Sequence, residues 1–372
     1  MLPHTTHSVV LATGGHYRRL AETEGIETRE LYSIGSSAFL RAVAKGRPVF
    51  PFQTLLRYVE DDLRTIEAVS PDVVVGDFRL SLAISARLAA VRYVAISNAY
   101  WSRHAKLRVE APVHKVSRVF GPGVANAAFR AIRPLVFAHH SLPMYRACRR
   151  YGRPTLGWDL RQVFTESDLT LFADVPELGP VIPADEASRY RFLGPVTWSA
   201  HAAMPDAIAA SGADTPLVYV NLGSSGDPRL LEVILEALSR IDCHAAIATA
   251  GASLGRKSSP RITIAEFLPG EEVTRKASLV ICNGGSMTCH EALRHGVPVL
   301  AIPANLDQFL NVAHLQPTGA LRALRPEHLS TERAHKLVQV MLADDEVRNA
   351  AKAAATLFNR GGGTERLIAA LQ

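Results

Sequence analysis

The chain has 372 residues, of which 48% are hydrophobic and 20% are charged, a composition that excludes an intrinsically disordered protein and suffices for two domains. The apolar runs are too short to span a membrane and the first residues lack the features of a secretory signal, which indicates a cytoplasmic protein. The four cysteines show no C-x-x-C spacing, which argues against a zinc site or a disulfide framework.

The first half of the chain alternates short β-branched runs with amphipathic segments of helical length. This pattern is typical of parallel strands covered by helices. Strands are predicted at 8–13, 72–76, 93–97 and 169–173, and a helix at about 80–90.

A strongly basic segment follows at 101–163. It holds two acidic side chains, Glu110 and Asp159, against twelve basic ones: Arg103, Lys106, Arg108, Lys115, Arg118, Arg130, Arg133, Arg146, Arg149, Arg150, Arg153 and Arg161. Apolar residues such as Val119 and Phe120 lie between them. Two interpretations remain open, a solvated helical face and a surface that lies against an anionic membrane or attracts an acidic acceptor. We expect no nucleic acid partner, because no nucleic-acid-binding module accompanies the charge.

The second half repeats the alternating pattern after a segment rich in Gly, Ala, Pro and Asp. We predict two domains, 1–194 and 217–343, with a linker at 195–216 and terminal helices at 344–372. In such folds ligands bind outside the carboxyl ends of the strands. Strands are predicted at 217–222, 245–249, 262–265, 279–282 and 299–302, and helices at 229–240, 288–294 and 331–342.

The stretch from Val280 to Gln308 carries the strongest functional signal. An apolar strand runs into Gly284 and Gly285, and then into a helix that begins near Ser286 or Thr288 and stops at Gly296. Two glycines allow the backbone to come close to a ligand. The free amides of the first turn and the helix dipole favour an anion there, so the segment predicts a phosphate site.

This stretch resembles the nucleotide-sugar glycosyltransferases of the GT-B type that include UDP-glucuronosyltransferases and macrolide glycosyltransferases. The matching frame is Asn-Gly-Gly-Ser-Met-Thr from Asn283, then Glu-Ala-Leu-Arg-His-Gly-Val-Pro from Glu291, then Asp307-Gln308. Weaker similarity occurs at 71–77, 192–195 and 222–225. The resemblance implies an α/β fold with two doubly wound Rossmann-like domains that face an interdomain cleft. Residues 1–194 would bind the acceptor, 217–343 would bind the nucleotide sugar, and 344–372 would pack back across both.

The resemblance also implies a donor site and a role for each of its residues. A UDP- or dTDP-sugar would be the co-substrate, with no further cofactor and no metal ion, since the chain lacks an Asp-x-Asp run. The diphosphate would contact Ser224, Asn283, Gly284, Gly285, Ser286 and Thr288; Glu291 would bind the ribose; and Asp307 and Gln308 would bind the hydroxyls of the transferred sugar.

Each motif also has a simpler interpretation. Thr288 and Glu291 fit a capping box at a helix start, and Asp307-Gln308 on its own would be a solvated loop. We expect His290 and His295 to lie on the helix surface or near its C-terminus, and Cys282 and Cys289 to be small buried residues. Met287, where the family often has Gly, would narrow the mouth of the site or point into the core. Phe267-Leu268-Pro269 occupies the place where the family has a Trp that stacks on the base. The sequence therefore does not decide between uridine and thymidine as the nucleoside of the donor.

The general base is the weakest part of the pattern. In the resembling enzymes a His after the first strand takes the acceptor proton and is oriented by an Asp that corresponds to Asp77. The resemblance implies that the chain begins after that His, so that one N-terminal βα unit would be absent. His4, His7 or His16 could substitute for it, and Asp77 could instead cap the following helix.

These observations lead to one main hypothesis and two alternatives. The main one is an inverting, metal-independent glycosyltransferase that moves a hexose to a hydroxyl of a small lipophilic or aromatic acceptor, with Tyr100 and Trp101 as pocket residues or as core. The first alternative is a catalytically silent or truncated nucleotide-sugar-binding protein that lacks the base. A nucleotide-sugar epimerase on the same fold is the second, and Asp307-Gln308 argues against it.

Overall fold

The computed structural model describes residues 7–14, 18, 25–199, 202–212, 214–223, 227–251 and 254–372. The described part of the chain forms two compact units. The first combines the described residues within 1–106, 131–194 and 362–372, and the second combines those within 107–130 and 195–361.

The first unit contains two parallel sheets. Strand β1 (Val10–Thr13) pairs with β2 (Glu27–Glu30). The larger sheet has the order β3-β4-β5-β6, with every neighbouring pair parallel. Its strands are β3 (Val73–Asp77), β4 (Arg92–Ser97), β5 (Leu169–Phe172) and β6 (Tyr190–Phe192).

Helices cover this sheet by burying apolar side chains against it. Leu55, Val59 and Ile66, spaced by four and seven residues along one helix, are buried and pack with Tyr93 and Met144. The helices of the first unit are α1 (Ser36–Ala44), α2 (Phe52–Val69), α3 (Leu82–Leu88) and α5 (Leu160–Phe164). A further helix, α4 (Lys115–Arg150), includes residues of both units and is interrupted at Gly121, where φ is +82°.

The second unit is built on one six-stranded parallel sheet with the order β12-β11-β10-β7-β8-β9. Read from β9, the strands follow the sequence 3-2-1-4-5-6, which is the doubly wound order of dinucleotide-binding folds. The strands are β7 (Leu217–Asn221), β8 (His244–Ala248), β9 (Ile262–Ala265), β10 (Leu279–Cys282), β11 (Val299–Ala301) and β12 (Leu321–Ala323).

The central strands β7 and β10 are apolar along most of their length because helices bury both faces of a parallel sheet. Leu217 to Val220 and Leu279 to Cys282 are all at most 3% exposed. The helices of this unit are α6 (Asp206–Ala209), α7 (Pro228–Leu238), α8 (Gly270–Lys276), α9 (Ser286–Arg294), α10 (Leu306–Leu315), α11 (Thr331–Ala343) and α12 (Asp345–Phe358).

The last helix, α13 (Gly363–Leu371), belongs to the first unit. Arg92 donates to the carbonyl of Ala370 over 2.8 Å, and Arg366 donates to the carbonyl of Leu193 over 3.0 Å. Leu367 and Ala370 join the apolar cluster around Leu171. The chain therefore returns from α12 in the second unit to close the core of the first.

The predicted α/β class with parallel, doubly wound sheets is confirmed, and the strand at 262–265 has the predicted bounds. The predicted strand at 279–282 also matches β10. The helix at 80–90 is shorter than expected and the helix at 288–294 starts two residues earlier. The elements not predicted from the sequence are β2, β6, β12, α1, α2, α5, α6, α8 and α10. In the described part of the chain, no helix is long and apolar enough to cross a membrane.

Candidate active site

The switch point of the six-stranded sheet lies between β7 and β10, where the strand order reverses. Cys282 pairs with Asn221 at the carboxyl ends of these strands. The loops that follow approach each other closely, because a Cβ atom added at Gly223 would lie 3.2 Å from Nδ2 of Asn283. Doubly wound sheets bind ligands in the crevice at this position. Ser224, predicted to add a hydroxyl here, lies outside the described residues.

Gly284 cannot be replaced by a larger residue without strain. Its φ is +79°, and a Cβ atom would lie 2.9 Å from Cγ2 of Val312. Asn311 also donates from Nδ2 to the carbonyl of Gly284 over 2.8 Å. The backbone after β10 is therefore held in a left-handed turn that only glycine adopts freely.

Helix α9 begins at Ser286 with Gly285 as its N-cap, and no side chain caps it. The capping-box interpretation of Thr288 and Glu291 is therefore wrong, since Thr288 already lies inside the helix. Asn283 instead accepts a hydrogen bond from the Gly285 N–H over 3.0 Å. Ser286 and Thr288 are half-buried in the first turn, where the backbone amides and the positive end of the helix dipole attract anions.

Glu291 is buried in the second turn of α9. Its Oε1 accepts a hydrogen bond from Oγ1 of Thr274 over 3.1 Å. Burial raises the pKa of Glu291 from 4.5 to about 7, with a smaller contribution from Glu271. A carboxyl group in this position can accept or donate hydrogen bonds near neutral pH.

Asp307 and Gln308 lie in the first turn of α10 and not in a solvated loop, so that interpretation is wrong. Asn305 caps the helix by accepting from the Gln308 N–H over 3.0 Å. Oε1 of Gln308 accepts in return from the N–H groups of Ala304, over 2.8 Å, and Asn305. Gln308 is buried and Asp307 is half-buried. The structure thus gives the Gln308 side-chain oxygen a part in fixing the turn before the helix.

Several neighbouring side chains lie where the sequence indicated and one does not. Cys282 and Cys289 are completely buried, as expected, and their Sγ atoms are 3.6 Å apart. Met287 is 47% exposed, so it does not point into the core. His295 lies at the C-cap of α9, as expected. His290, expected near the surface, is buried with its ring against that of Phe358.

Two observations bear on the binding of a nucleotide base and of metal ions. Phe267 follows β9 and is 57% exposed. Among the described residues, no group of three or more His, Cys, Asp or Glu side chains could hold a metal ion.

In the first unit, Asp77 ends β3 and its side chain is exposed. Although it reaches solvent, the protein around it raises the pKa of its carboxyl by desolvation. The interpretation of Asp77 as a cap is wrong, because α3 begins at Leu82 with Ser81 as its N-cap. Phe78 follows with a φ of +48°, a conformation that bulky residues rarely adopt. His4 and His16 lie outside the described residues.

The aromatic pair after β4 belongs to the core. Tyr100 and Trp101 are 1% and 5% exposed, and the Trp101 ring packs edge-on against Phe164 at 4.6 Å between centroids. Of the two interpretations given above, the structure favours the core.

Comparison with known proteins agrees with this geometry. Residues 217–366 match the model of the glycosyltransferase family 28 C-terminal domain. The structure is similar to that of the spinosyn rhamnosyltransferase SpnG, with a TM-score of 0.71 and 21% identity, over 100% of this chain and 93% of that one. This likeness shows a common fold, that of the GT-B glycosyltransferases.

Two mycobacterial relatives are closer in sequence. The chain is 41% identical to a PGL/p-HBAD biosynthesis glycosyltransferase of Mycobacterium tuberculosis, over 88% of this chain and 76% of the relative. It is 38% identical to a PGL/p-HBAD biosynthesis rhamnosyltransferase of Mycobacterium bovis, over 96% of this chain and 79% of the relative. The chain is therefore an enzyme, a member of the glycosyltransferase family that contains these mycobacterial PGL/p-HBAD biosynthesis proteins.

Proposed function

We propose that the enzyme transfers a hexose from a UDP- or dTDP-sugar to a hydroxyl group of a lipophilic or aromatic acceptor, with inversion at the anomeric carbon. The observation that carries the donor part is the pair of loops at the switch point, which places the Gly284 turn and the start of α9 beside Gly223. This arrangement suits a diphosphate, because amide groups and a helix dipole converge on one edge of the sheet.

The proposed roles follow from what each group can donate or accept. Asn283, Gly284, Gly285, Ser286 and Thr288 hold the diphosphate, together with Ser224. Glu291 binds the ribose hydroxyls, and Asp307 and Gln308 bind the hydroxyls of the sugar. Phe267, whose side chain is exposed, is the residue we propose to stack on the base.

In the transfer step a bond forms between the acceptor oxygen and the anomeric carbon, while the bond from that carbon to the diphosphate oxygen breaks. The diphosphate leaves with the electron pair, and amides and the helix dipole stabilise its charge without a metal ion. A base on the opposite face takes the acceptor proton, and Asp77 orients that base.

The relatives narrow the choice of sugar and acceptor to test. One is named a rhamnosyltransferase, and both are named for PGL/p-HBAD biosynthesis. We therefore propose rhamnose as the first sugar to try, carried on dTDP, and p-HBAD-type compounds as the first acceptors, with UDP-hexoses and simple phenols as comparisons.

The test combines an acceptor panel with Asp307→Ala. We expect glycosylated product from the wild type in the presence of a chelator, and a loss of turnover of about a hundredfold or more in the variant, since a contact strengthened in the transition state is removed. Asp345→Ala is the matched control, because Asp345 also lies in the first turn of a helix. Turnover unchanged by Asp307→Ala would refute its role, and nucleotide binding without any product would favour the catalytically silent alternative.

We also propose that the enzyme associates peripherally with anionic membranes through α4 and its flanks. In the second unit, Val116, Val119, Phe120 and Val124 are 40–73% exposed. Lys115, Arg118 and Arg130 are exposed in the same stretch, and the sequence contains no acid between Glu110 and Asp159. Exposed apolar residues among cations suit an interface in which apolar groups enter the lipid and cations contact its headgroups.

The segment before this stretch is anchored to other residues of the second unit. The Val113 N–H donates to the carbonyl of Ala304 over 2.8 Å, and Arg325 donates to the carbonyl of Ala111 over 3.0 Å. These contacts hold the start of α4 while its apolar side chains remain exposed.

Co-sedimentation with vesicles tests this proposal. We expect binding to vesicles that contain phosphatidylglycerol, weaker binding to phosphatidylcholine alone, and weakening by salt. The double variant Val119→Ser with Phe120→Ser should lose most of the binding. Val181→Ser, which alters another exposed apolar residue, should not. Equal binding of the double variant and the wild type would refute the proposal.

A further inference from the structure

The two strands at the switch point end in the same local structure. Oδ1 of Asn221 accepts a hydrogen bond from the Gly223 N–H over 2.9 Å, as Oδ1 of Asn283 does from the Gly285 N–H over 3.0 Å. In both turns an asparagine side chain fixes the backbone two residues further along. The two asparagines follow or end adjacent strands, since Asn221 pairs with Cys282.

Several features fix the conformation of the turn that begins at Asn221. Gly223 has a φ of +63°, and Leu222 between the two residues is buried. Nδ2 of Asn221 donates to the hydroxyl of Tyr219 over 3.3 Å, which orients the amide so that its oxygen faces the Gly223 N–H. A buried tyrosine thus supports the asparagine that shapes the loop.

The position of the loop matters because it forms one wall of the crevice. With only 3.2 Å between a Cβ at Gly223 and Nδ2 of Asn283, a small shift of the Gly223 turn would either close or widen the crevice beside the Gly284 turn. The hydrogen bond from Gly223 to Asn221 holds this spacing.

We propose that Asn221 is a positioning residue for the donor diphosphate. It acts through the backbone of Gly223 and does not itself contact the reacting atoms. The proposal rests on the donor site proposed above and extends it by one residue outside the family-like motif at 283–308. Both walls of the crevice are then set in the same way, each by an asparagine at a strand end.

Three variants test this inference. Asn221→Ala removes the acceptor of the Gly223 hydrogen bond, and Asn221→Ser retains a side-chain oxygen that can accept from the residue two positions on. Ser330→Ala is the matched control, since Ser330 also accepts from a backbone N–H, that of Arg333 over 3.2 Å, but at the start of α11.

We expect Asn221→Ala to raise the dissociation constants of UDP and dTDP, measured by calorimetry, and the KM for the donor by about tenfold, the equivalent of one hydrogen bond. At saturating donor, kcat should change little. Asn221→Ser should restore most of the affinity. Ser330→Ala should lower the melting temperature without changing either constant.

Two outcomes would overturn the inference while leaving the proposed function intact. One is unchanged nucleotide affinity in Asn221→Ala, and the other is an affinity of a folded Asn221→Ser variant as low as that of Asn221→Ala. If Asn221→Ala fails to fold, Asn221→Val, which also lacks the acceptor oxygen and suits a strand, takes its place in both comparisons. Failure of the wild type to bind either nucleotide would instead refute the donor site, and the inference with it.

Discussion

Oγ1 of Thr274 lies 3.1 Å from Oε1 of Glu291, in the interior between α8 and α9. Among the hydrogen bonds of the described residues, only the Thr274 hydroxyl donates to this carboxyl. Glu291 is 5% exposed, and desolvation raises its pKa from 4.5 to about 7. The carboxyl is thus largely neutral in the folded enzyme at mildly acidic pH.

This raised pKa predicts that stability falls as pH rises. Below about pH 4.5 the carboxyl is protonated in both states. Between about pH 4.5 and 7 the carboxyl loses its proton in the unfolded chain but keeps it in the folded enzyme. The free energy of unfolding therefore falls by up to about 3 kcal/mol over this range. Glu291→Gln, which cannot ionise, should lose this component. Urea unfolding at about pH 5 and pH 8 should show that the variant gains stability relative to the wild type at the higher pH.

The control is Glu272→Gln, on the exposed face of α8. It should leave the pH profile unchanged. A difference between wild type and Glu291→Gln that is the same at both pH values would show that Glu291 does not titrate in this range.

Gly284→Ala should both destabilise the enzyme and impair donor use. The substitution forces a left-handed residue to carry a Cβ and places it 2.9 Å from Val312. Strain and overpacking together predict a loss of about 2–4 kcal/mol in the free energy of unfolding, with a higher donor KM. Urea unfolding and initial rates against donor concentration measure the two effects.

Gly46→Ala separates the two causes. Gly46 also has a positive φ, +59°, but no heavy atom lies within 4 Å of its added Cβ. It should cost only the backbone strain, about 1–2 kcal/mol, with no change in donor KM. If both variants lose the same stability, the contact with Val312 does not matter.

Much of the second unit could be predicted because its signals are local. The apolar run Leu279–Cys282, followed by two glycines, marks a buried strand, a turn and a helix start without reference to the rest of the chain. The helix α10 was missed although Asn305 and Gln308 form a capping box that the sequence displays. In this segment one residue, Gln308, belongs both to the family-like pair Asp307-Gln308 and to the capping box that begins the helix.

Other errors arose from contacts distant in sequence. Strand β2, Glu27–Glu30, is polar and lacks an alternating pattern, and only pairing with β1 makes it a strand. His290 lies on a helix whose sequence is partly polar, which predicts an exposed side chain. In the structure Phe358 of α12 covers it, and no local sequence pattern indicates this contact. Propensity and periodicity cannot report which helix packs on which.

Gln308 offers a prediction in which stability and donor use separate. Its Oε1 accepts from the Ala304 and Asn305 N–H groups, so Gln308→Ala should lower the free energy of unfolding by about 1–2 kcal/mol. Gln308→Glu retains an acceptor oxygen and should be nearly as stable as the wild type. Because the carboxylate cannot donate to a sugar hydroxyl, the donor KM should still rise.

Thermal unfolding and donor kinetics on the two variants test this separation. A Gln308→Glu enzyme with normal donor KM would show that the side chain acts only on the turn before α10. A Gln308→Glu enzyme as unstable as Gln308→Ala would show that the capping oxygen does not support the fold.

The labelling rate of the buried thiols reports how often the structure around the candidate site opens. All four cysteines are free and buried, and Cys282 and Cys289 lie directly below the Gly284 turn. Burial raises the pKa of Cys243 to about 11, and the hydrogen bond with the Cys282 sulfur, together with burial, raises the pKa of Cys289, so these two thiols stay protonated and unreactive. We therefore expect a thiol reagent such as dithionitrobenzoate to label the native enzyme only as fast as it opens, and to label all four cysteines in denaturant.

A nucleotide that binds the folded site should slow labelling further, because it stabilises the folded form by mass action. Labelling of Cys282 or Cys289 that is rapid and unaffected by UDP or dTDP would mean that the turn above them opens independently of the proposed diphosphate site.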